Sequence, residues 1–157
     1  MAASLDEIER IYRERGGDFY RFAYARTGDA NAARDAVQEG FANAVRGRRR
    51  YRGSGSVDAW IARCVINAAH DEARRDRPAE HDVDVTTAHE TPLQQALIRD
   101  AVRRLPRRQR DALFLRYYLD LDYAAIAEAL GIAVGTVSAT LHAARASLAE
   151  TLQEVPR

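Results

Sequence analysis

The chain has 157 residues, 46% of them hydrophobic, and a formal net charge of +1. This length and hydrophobic content suffice for the core of one medium domain or of two small ones, and they exclude wholesale disorder. All 24 basic residues are arginine, and a single cysteine, Cys64, excludes an internal disulfide and a multi-cysteine metal site. No apolar run approaches the roughly 18 residues of a membrane span, and no signal peptide precedes the first helix, so we expect a cytoplasmic protein without membrane insertion.

Charge divides the chain into three segments. Residues 1–77 carry 15 Arg against 12 acids, and residues 93–157 carry nine Arg against seven acids. Between them, residues 78–92 contain four acids and no Arg. This pattern and the helical periodicity predict an all-α protein. Two small helical domains, residues 1–77 and 92–157, are joined by an acidic flexible linker, residues 78–91.

The first helix is predicted from Ser4 to Thr27, with Gly16-Gly17 as a kink or break. Gly28-Asp29 then forms a turn and an N-cap for a second helix, Ala30 to about Gly47. The apolar face of that helix leaves three polar residues on the other side with no obvious partner within the helix: Asp35, Gln38 and Glu39. Such a patch is either an ordinary solvated face or a docking surface.

An arginine-rich stretch follows, in which five Arg surround Tyr51 and a Gly-Ser loop separates them from the third helix. Arginine beside an aromatic suits single-stranded nucleic acid, because the guanidinium holds phosphate while the ring stacks on a base. A solvated loop is the alternative. The third helix is predicted from Val57 to Arg77, capped by Ser56, and it displays a polar ridge of Asn67, Asp71 and Arg74. His70 is expected at the surface.

No constellation in the sequence supports catalysis. There is no phosphate-binding glycine loop, no HExxH pair and no setting for a serine or cysteine nucleophile, so we predict that the chain is not an enzyme. His81, Asp82, Asp84 and His89 lie in the linker without helical ligand spacing, so we predict neither a metal site nor a cofactor.

The second half predicts a helix from Pro92 to about Leu105 and another starting at Pro106. Two further helices lie between Asp120 and Leu152, separated at Gly131 by a tight turn. Small residues and apolar spacing at this turn are typical of a helix-turn-helix, whose second helix, about Val134 to Leu152, enters a DNA major groove. A plain helical hairpin burying the same residues is the alternative.

Five segments taken together resemble one family, the extracytoplasmic-function type of bacterial sigma-70 factor. The resemblance covers about Ile11 to Leu148. The segments, in family order, are DAVQEGF (35–41), YRGSGSVDAWI (51–61), NAAHDEARR (67–75), LPRRQRDALFLRYY (105–118) and DYAAIAEALGIAVGTVSATLHAAR (122–145).

The resemblance implies two domains, called regions 2 and 4, and a function in directing core RNA polymerase to promoter DNA and opening it. Residues matching the polymerase-docking stretch are Asp35, Gln38, Glu39 and Phe41. Residues matching the loop and helix that bind the melted −10 element are Arg50, Tyr51, Arg52, Ser54, Ser56, Asn67, Asp71, Arg74 and Arg75. Residues matching the −35 recognition helix are Thr136, Ser138, Ala139, Thr140, His142 and Arg145.

Two departures from the family pattern stand out. Arg34-Asp35 replaces an acid pair, and the recognition helix has few basic residues, so −35 recognition is expected to be weak or based on DNA shape. Phosphate contacts are expected from arginines on the preceding helices: Arg103, Arg104, Arg107, Arg108 and Arg110.

The resemblance further implies an anti-sigma factor as partner, and we expect a monomer when the chain is free of partners. Two alternatives come from other classes: a helix-turn-helix regulator that acts without polymerase docking, and a helical adaptor that binds only protein.

Overall fold

The computed structural model describes residues 2–53, 55–75 and 92–154. Within these ranges the chain forms seven helices and no strand. The predicted acidic linker, its histidines and the predicted site residue Ser54 lie outside the described residues. The described part falls into an N-terminal lobe of three helices and a C-terminal lobe of four.

Three capped helices make the N-terminal lobe: α1 (Leu5–Thr27), α2 (Ala30–Gly47) and α3 (Val57–Arg74). The side chains of Ser4, Asp29 and Ser56 each accept a hydrogen bond from the backbone N–H three residues on, at 3.1, 2.8 and 3.3 Å. Each bond satisfies a donor that the first helical turn would otherwise leave free. α3 ends at Arg74, three residues before the predicted end.

Helix α1 runs unbroken through Gly16-Gly17, so the predicted break does not occur. Ile8 and Ile11 before the glycines and Phe19 and Phe22 after them are all buried in the same apolar core. Packing on both sides therefore keeps the helix continuous against the low helix propensity of glycine, about 1 kcal/mol per residue relative to alanine.

Close contact between α2 and α3 depends on Gly40. A Cβ atom placed there would lie 2.6 Å from the Cα atom of Val65. Because that neighbour is backbone rather than a flexible side-chain end, a larger residue would force the two helices apart. α2 can therefore lay its apolar face directly on α3, which leaves its polar side chains pointing outward.

The C-terminal lobe contains α4 (Pro92–Arg103), α5 (Arg107–Tyr117), α6 (Tyr123–Leu130) and α7 (Val134–Gln153). Gly131 ends α6 with a left-handed backbone, φ 66°, and its N–H turns back onto the carbonyls of the last turn. The axes of α6 and α7 differ by 97°, the angle of a helix-turn-helix. Val137, Leu141 and Ala144 form the buried face of α7.

The two lobes pack against each other. Phe114 of α5 contacts Phe22 and Phe19 of α1, with ring centroids 4.6 and 6.3 Å apart, and α6 packs on α3. One apolar cluster consequently spans both lobes. The prediction that His70 is a surface residue is wrong, because α5 covers this part of α3 and leaves the side chain 5% exposed.

Among the described residues, no single helix has the length and apolar composition of a membrane span. The α6–α7 pair meets that test only when the two helices are taken together across their bend.

Candidate nucleic-acid and protein interfaces

A polar groove between α2 and α3 brings two of the predicted sites together. It has a volume of about 610 Å³. From α2 it is lined by the predicted docking residues Asp35, Gln38 and Glu39, and from α3 by the predicted −10 residues Asp71 and Arg75. The predicted docking residues and the predicted −10 ridge are therefore neighbouring parts of one surface.

The docking residues differ in their surroundings. Asp35, Gln38 and Glu39 are exposed, but Glu39 forms an ion pair with Arg46 at 2.7 Å, which contradicts the expectation that it has no partner on its own helix. Arg46 lies two turns further along α2, and its long side chain spans that distance. An exposed pair of this kind contributes only about 0–1 kcal/mol, so Glu39 can exchange Arg46 for another cation at little cost.

Phe41 is buried, unlike the other predicted docking residues. Its ring meets Tyr12 and Phe19 edge to face, with centroids 5.0 and 5.6 Å apart. The side chain is 7% exposed and cannot offer a surface to a partner. Its position in the core fixes α2 on α1, so that Gln38 and Asp35 face the groove.

The polar ridge of α3 is exposed along its length. Asn67, Asp71 and Arg74 all reach solvent, and Arg74 Nη1 lies 3.5 Å from Asp71 Oδ1. Arg75, also exposed, contacts Glu72 at 3.0 Å. These guanidinium groups are held beside the helix and remain open to an incoming phosphate or base edge.

The arginine-rich loop is folded around Tyr51. Its phenol donates a hydrogen bond to the Gly55 carbonyl, and its ring lies 5.5 Å from the Trp60 ring. Arg50 and Arg52 project into solvent on either side, while Ser56 is committed to capping α3. Burial, with a smaller contribution from the Glu128 carboxylate, raises the pKa of Tyr51. The phenol therefore stays protonated and keeps its hydrogen bond.

Glu128 is an unexpected neighbour of this loop, because it belongs to α6 in the other lobe. Its carboxylate occupies the space where a side chain on Gly55 would begin. No local sequence signal places these two residues together, since they lie 73 positions apart.

A buried polar chain joins the two lobes beside the aromatic contact. Arg26 Nε donates to His70 Nδ1 at 2.9 Å, and His70 Nε2 lies 2.9 Å from Asp111 Oδ2. A guanidinium nitrogen only donates, so Nδ1 accepts, and the hydrogen-bond pattern assigns the ring proton to Nε2, which donates to Asp111. Burial, followed by the charges of Arg110 and Arg107, lowers the pKa of Arg26.

The predicted recognition helix presents mainly small hydroxyl residues. Thr136, Ser138, Ala139 and His142 are exposed on α7, and Thr140 is half-buried. Thr140 donates its hydroxyl to the Thr136 carbonyl at 2.6 Å, which leaves the oxygen free to accept but not to donate. Apart from His142, these side chains are short and uncharged.

Arg145 lies at the edge of this surface and already contacts Tyr117. Its Nε donates to the Tyr117 hydroxyl at 2.8 Å, and its guanidinium lies over the Tyr117 ring at 5.8 Å. Hydrogen bonds from Arg145 to Tyr117 and Tyr123 raise its pKa. Tyr117, the last residue of α5, therefore positions the predicted −35 arginine, a role that the sequence did not reveal.

Cys64 has the properties of a structural thiol. It is half-buried against the N-terminal core, and burial raises the pKa of the thiol despite the nearby Arg63. The reactive thiolate is thereby disfavoured. Across the described residues, no group of three or more His, Cys, Asp or Glu side chains is arranged to hold a metal ion.

Comparisons with known proteins match both halves of the chain. Residues 11–78 match the family profile "Sigma-70 region 2", and residues 95–148 match "Sigma-70, region 4". The ECF RNA polymerase sigma factor SigL of Mycobacterium tuberculosis is 33% identical, over 98% of this chain and 93% of its own length. SigM of the same organism is 31% identical, over 97% and 80%.

Two solved structures share the fold over nearly the whole chain. The sigma factor RpoE of Bartonella quintana, crystallised with the anti-sigma factor NepR, has a TM-score of 0.77 at 18% identity, over 97% of this chain and 100% of that one. CnrH, in complex with the cytosolic domain of CnrY, has a TM-score of 0.74 at 19% identity, over 98% and 92%.

The chain belongs to the sigma-70 family, among its extracytoplasmic-function members. It is thus an alternative sigma factor with a region 2 domain and a region 4 domain. This membership favours the sigma factor over a regulator that acts without polymerase and over a protein-binding adaptor.

Proposed function

We propose that this sigma factor docks on core RNA polymerase through the α2 side of the polar groove and places the α3 side on the melted −10 element. The observation that carries the proposal is the shared groove of Asp35, Gln38 and Asp71. A polymerase surface bound to α2 would hold the separated DNA strand next to α3. Docking and strand capture would then use adjoining residues of one rigid helix pair.

The arginine-rich loop has the chemistry for capturing a single strand. Arg50 and Arg52 can hold phosphates on both sides of Tyr51, and the Tyr51–Trp60 pair supplies an aromatic surface. A flipped base costs a few kcal/mol in lost stacking, which this surface would offset. Asn67 and Asp71, on the ridge, carry the hydrogen-bonding groups for base edges.

In this proposal, region 4 holds the promoter DNA in position more than it recognises its base sequence. A bidentate Arg–guanine pair contributes about 1–3 kcal/mol of base discrimination, and α7 has only Arg145 to offer, tethered to Tyr117. We expect the α7 hydroxyls to read DNA shape while the arginines of α5, Arg107, Arg108 and Arg110, hold phosphates. Phosphate contacts from α5 and hydroxyl contacts from α7 do not require α7 itself to be strongly basic.

An anti-sigma factor is the partner that we propose for control. RpoE is described in complex with the anti-sigma factor NepR, and CnrH in complex with the cytosolic domain of CnrY. The exposed surfaces available here are the α2–α3 groove and the edge of α7. Affinity purification of this chain from its own cells, before and after stress, would recover a second protein in one condition. Recovery of polymerase alone in every condition would contradict this part.

The docking surface is tested by reversing its charge. The double variant Asp35→Arg with Gln38→Arg should lower affinity for core polymerase at least tenfold, because two new cations replace an acid and an amide at the interface. Glu14→Arg is the matched control, since Glu14 is an exposed helical acid paired with an arginine of its own helix. Far-UV circular dichroism checks folding. Equal affinity for the double variant and the control would remove α2 from the interface.

A further inference from the structure

The positive charge of Arg145 is held in place without being neutralised. Its Nε donates to the Tyr117 hydroxyl at 2.8 Å, and its guanidinium lies over the Tyr117 ring. A second phenol, that of Tyr123, accepts another of its hydrogen bonds. A carboxylate partner would also orient a guanidinium, but it would cancel the charge. Two neutral phenols orient Arg145 and leave its whole charge to attract an anion.

Tyr117 has a hydrogen-bond donor of its own beside that charge. A guanidinium only donates, so the phenol oxygen of Tyr117 accepts from Arg145, and the phenol proton needs a different acceptor. Within residues 2–53, 55–75 and 92–154, no protein group accepts this proton, and the Tyr117 side chain is 60% exposed. Tyr117 and Arg145 therefore present O–H and N–H donors side by side to solvent, which suits an anion with several acceptor oxygens.

The position of Arg145 along α7 favours a DNA phosphate over a base. Ser138, His142 and Arg145 are exposed and follow at spacings of four and three residues, which places them on one face of the helix. Arg145 comes eleven residues after Val134, the first residue of α7, or about 16 Å along the helix axis. This exceeds the width of the major groove, about 12 Å. Because the first turns of a recognition helix contact the base edges, Arg145 reaches the groove edge, where the phosphates lie.

We propose that Tyr117 is a further DNA-contact residue of region 4, and that its hydroxyl and the Arg145 guanidinium together clamp one backbone phosphate at the edge of the −35 element. The place of this clamp on a promoter rests on the function proposed above. Tyr117 both orients Arg145 and donates a hydrogen bond to the same phosphate. A phosphate contact fixes position without reading base sequence, so the clamp sets the register of α7 on the duplex.

The clamp is measured by the binding of the full chain to fluorescently labelled duplex DNA over a range of salt concentrations. Two duplexes of different mixed sequence are used. Arg145→Gln should lower affinity about tenfold on both, and the slope of log affinity against log salt should become shallower by about 0.9, the change for one phosphate. Arg13→Gln removes an exposed arginine of α1. It is the control for net charge and should keep the parent slope.

Tyr117→Phe keeps the ring and removes only the hydroxyl. It should lower affinity about threefold or more and also make the salt slope shallower, because Arg145 loses the group that holds it on the phosphate. Adding Tyr117→Phe to Arg145→Gln should cause little further loss, since both residues bind the same group. Tyr118→Phe, the same chemical change at the next residue, should bind like the parent chain. Both residues of the clamp are exposed, so their variants should fold, and circular dichroism checks this.

Three results would overturn the clamp. The first is an equal affinity and salt slope for Tyr117→Phe and Tyr118→Phe. The second is a double variant whose losses add, which would mean that Tyr117 and Arg145 act separately. The third is a loss confined to one of the two duplexes, which would indicate a base contact in place of a phosphate.

Transcription with core polymerase, measured for the same variants, separates the clamp from the proposed function. Tyr117→Phe should give fewer transcripts than Tyr118→Phe. If the parent chain shows the clamp on duplex DNA but directs no transcription, the proposed function has failed and the clamp stands. If the parent chain directs transcription while Tyr117→Phe binds DNA and transcribes like the parent, the clamp is overturned and the function stands.

Discussion

At the scale of single residues, Gly40 decides how closely α2 and α3 approach, and hence the shape of the polar groove. Its missing side chain brings the Val65 backbone near, and the polar residues of α2 then stand beside those of α3. The glycines of α1 have a different environment, since a Cβ on Gly16 would have nothing within 4 Å. Substitutions at Gly40 and Gly16 can therefore be compared for their effects on stability.

Gly40→Ala should lower the free energy of unfolding by about 1–3 kcal/mol, the usual cost of overpacking a core. Gly16→Ala should raise it by about 0.5–1 kcal/mol, because alanine replaces glycine inside a helix with open space around it. Urea denaturation followed by circular dichroism measures both. A Gly40→Ala variant as stable as the parent chain would show that the helices do not meet as described.

At the scale of the helix, α5 begins in an unusual way. Pro106 precedes it without a side-chain cap, no acid lies in its first turn, and the sequence there is Arg107, Arg108, Gln109, Arg110. Positive side chains at a helix N-terminus oppose the helix dipole. α5 thus carries a small destabilising charge arrangement, which is consistent with a role for these arginines in holding phosphate.

Arg108→Glu should separate stability from DNA binding. The acid matches the helix dipole, so we expect the free energy of unfolding to rise by about 0.3–1 kcal/mol. Affinity of the polymerase holoenzyme for promoter DNA should fall, and the salt dependence of binding should become shallower by about one phosphate contact. Arg108→Gln, which removes the cation without adding an acid, should show the loss of affinity with a smaller gain in stability. Unchanged promoter affinity in both variants would exclude a phosphate contact at Arg108.

At the scale of the whole molecule, the sequence predicts the parts better than their assembly. Six of the seven helix starts and the turn at Gly131 follow from caps, proline and apolar spacing, and the structure confirms them within about two residues. Gly16-Gly17 misled the prediction because core packing overrides local propensity. Phe41 matches the docking stretch of the family, but its ring is buried in the core.

Contacts between the lobes could not be predicted. His70 lies 44 positions from Arg26 and 41 from Asp111, and no periodicity within one helix reveals such pairs. Each of these residues looks like an ordinary surface group in its own segment. The same holds for Glu128 beside Gly55. The predicted site residues are therefore visible in the sequence by type and spacing, whereas the groups that cover or position them become visible only in three dimensions.

The most direct test of the central claim is transcription from the genomic DNA of the source organism by core polymerase, with and without this chain, followed by mapping of transcript 5′ ends. The account predicts a limited set of start sites that appear only when the chain is added and disappear with the Asp35→Arg, Gln38→Arg variant. They should persist with Glu14→Arg. The account would be contradicted if the chain binds core polymerase but the start sites with the chain are identical to those of core polymerase alone.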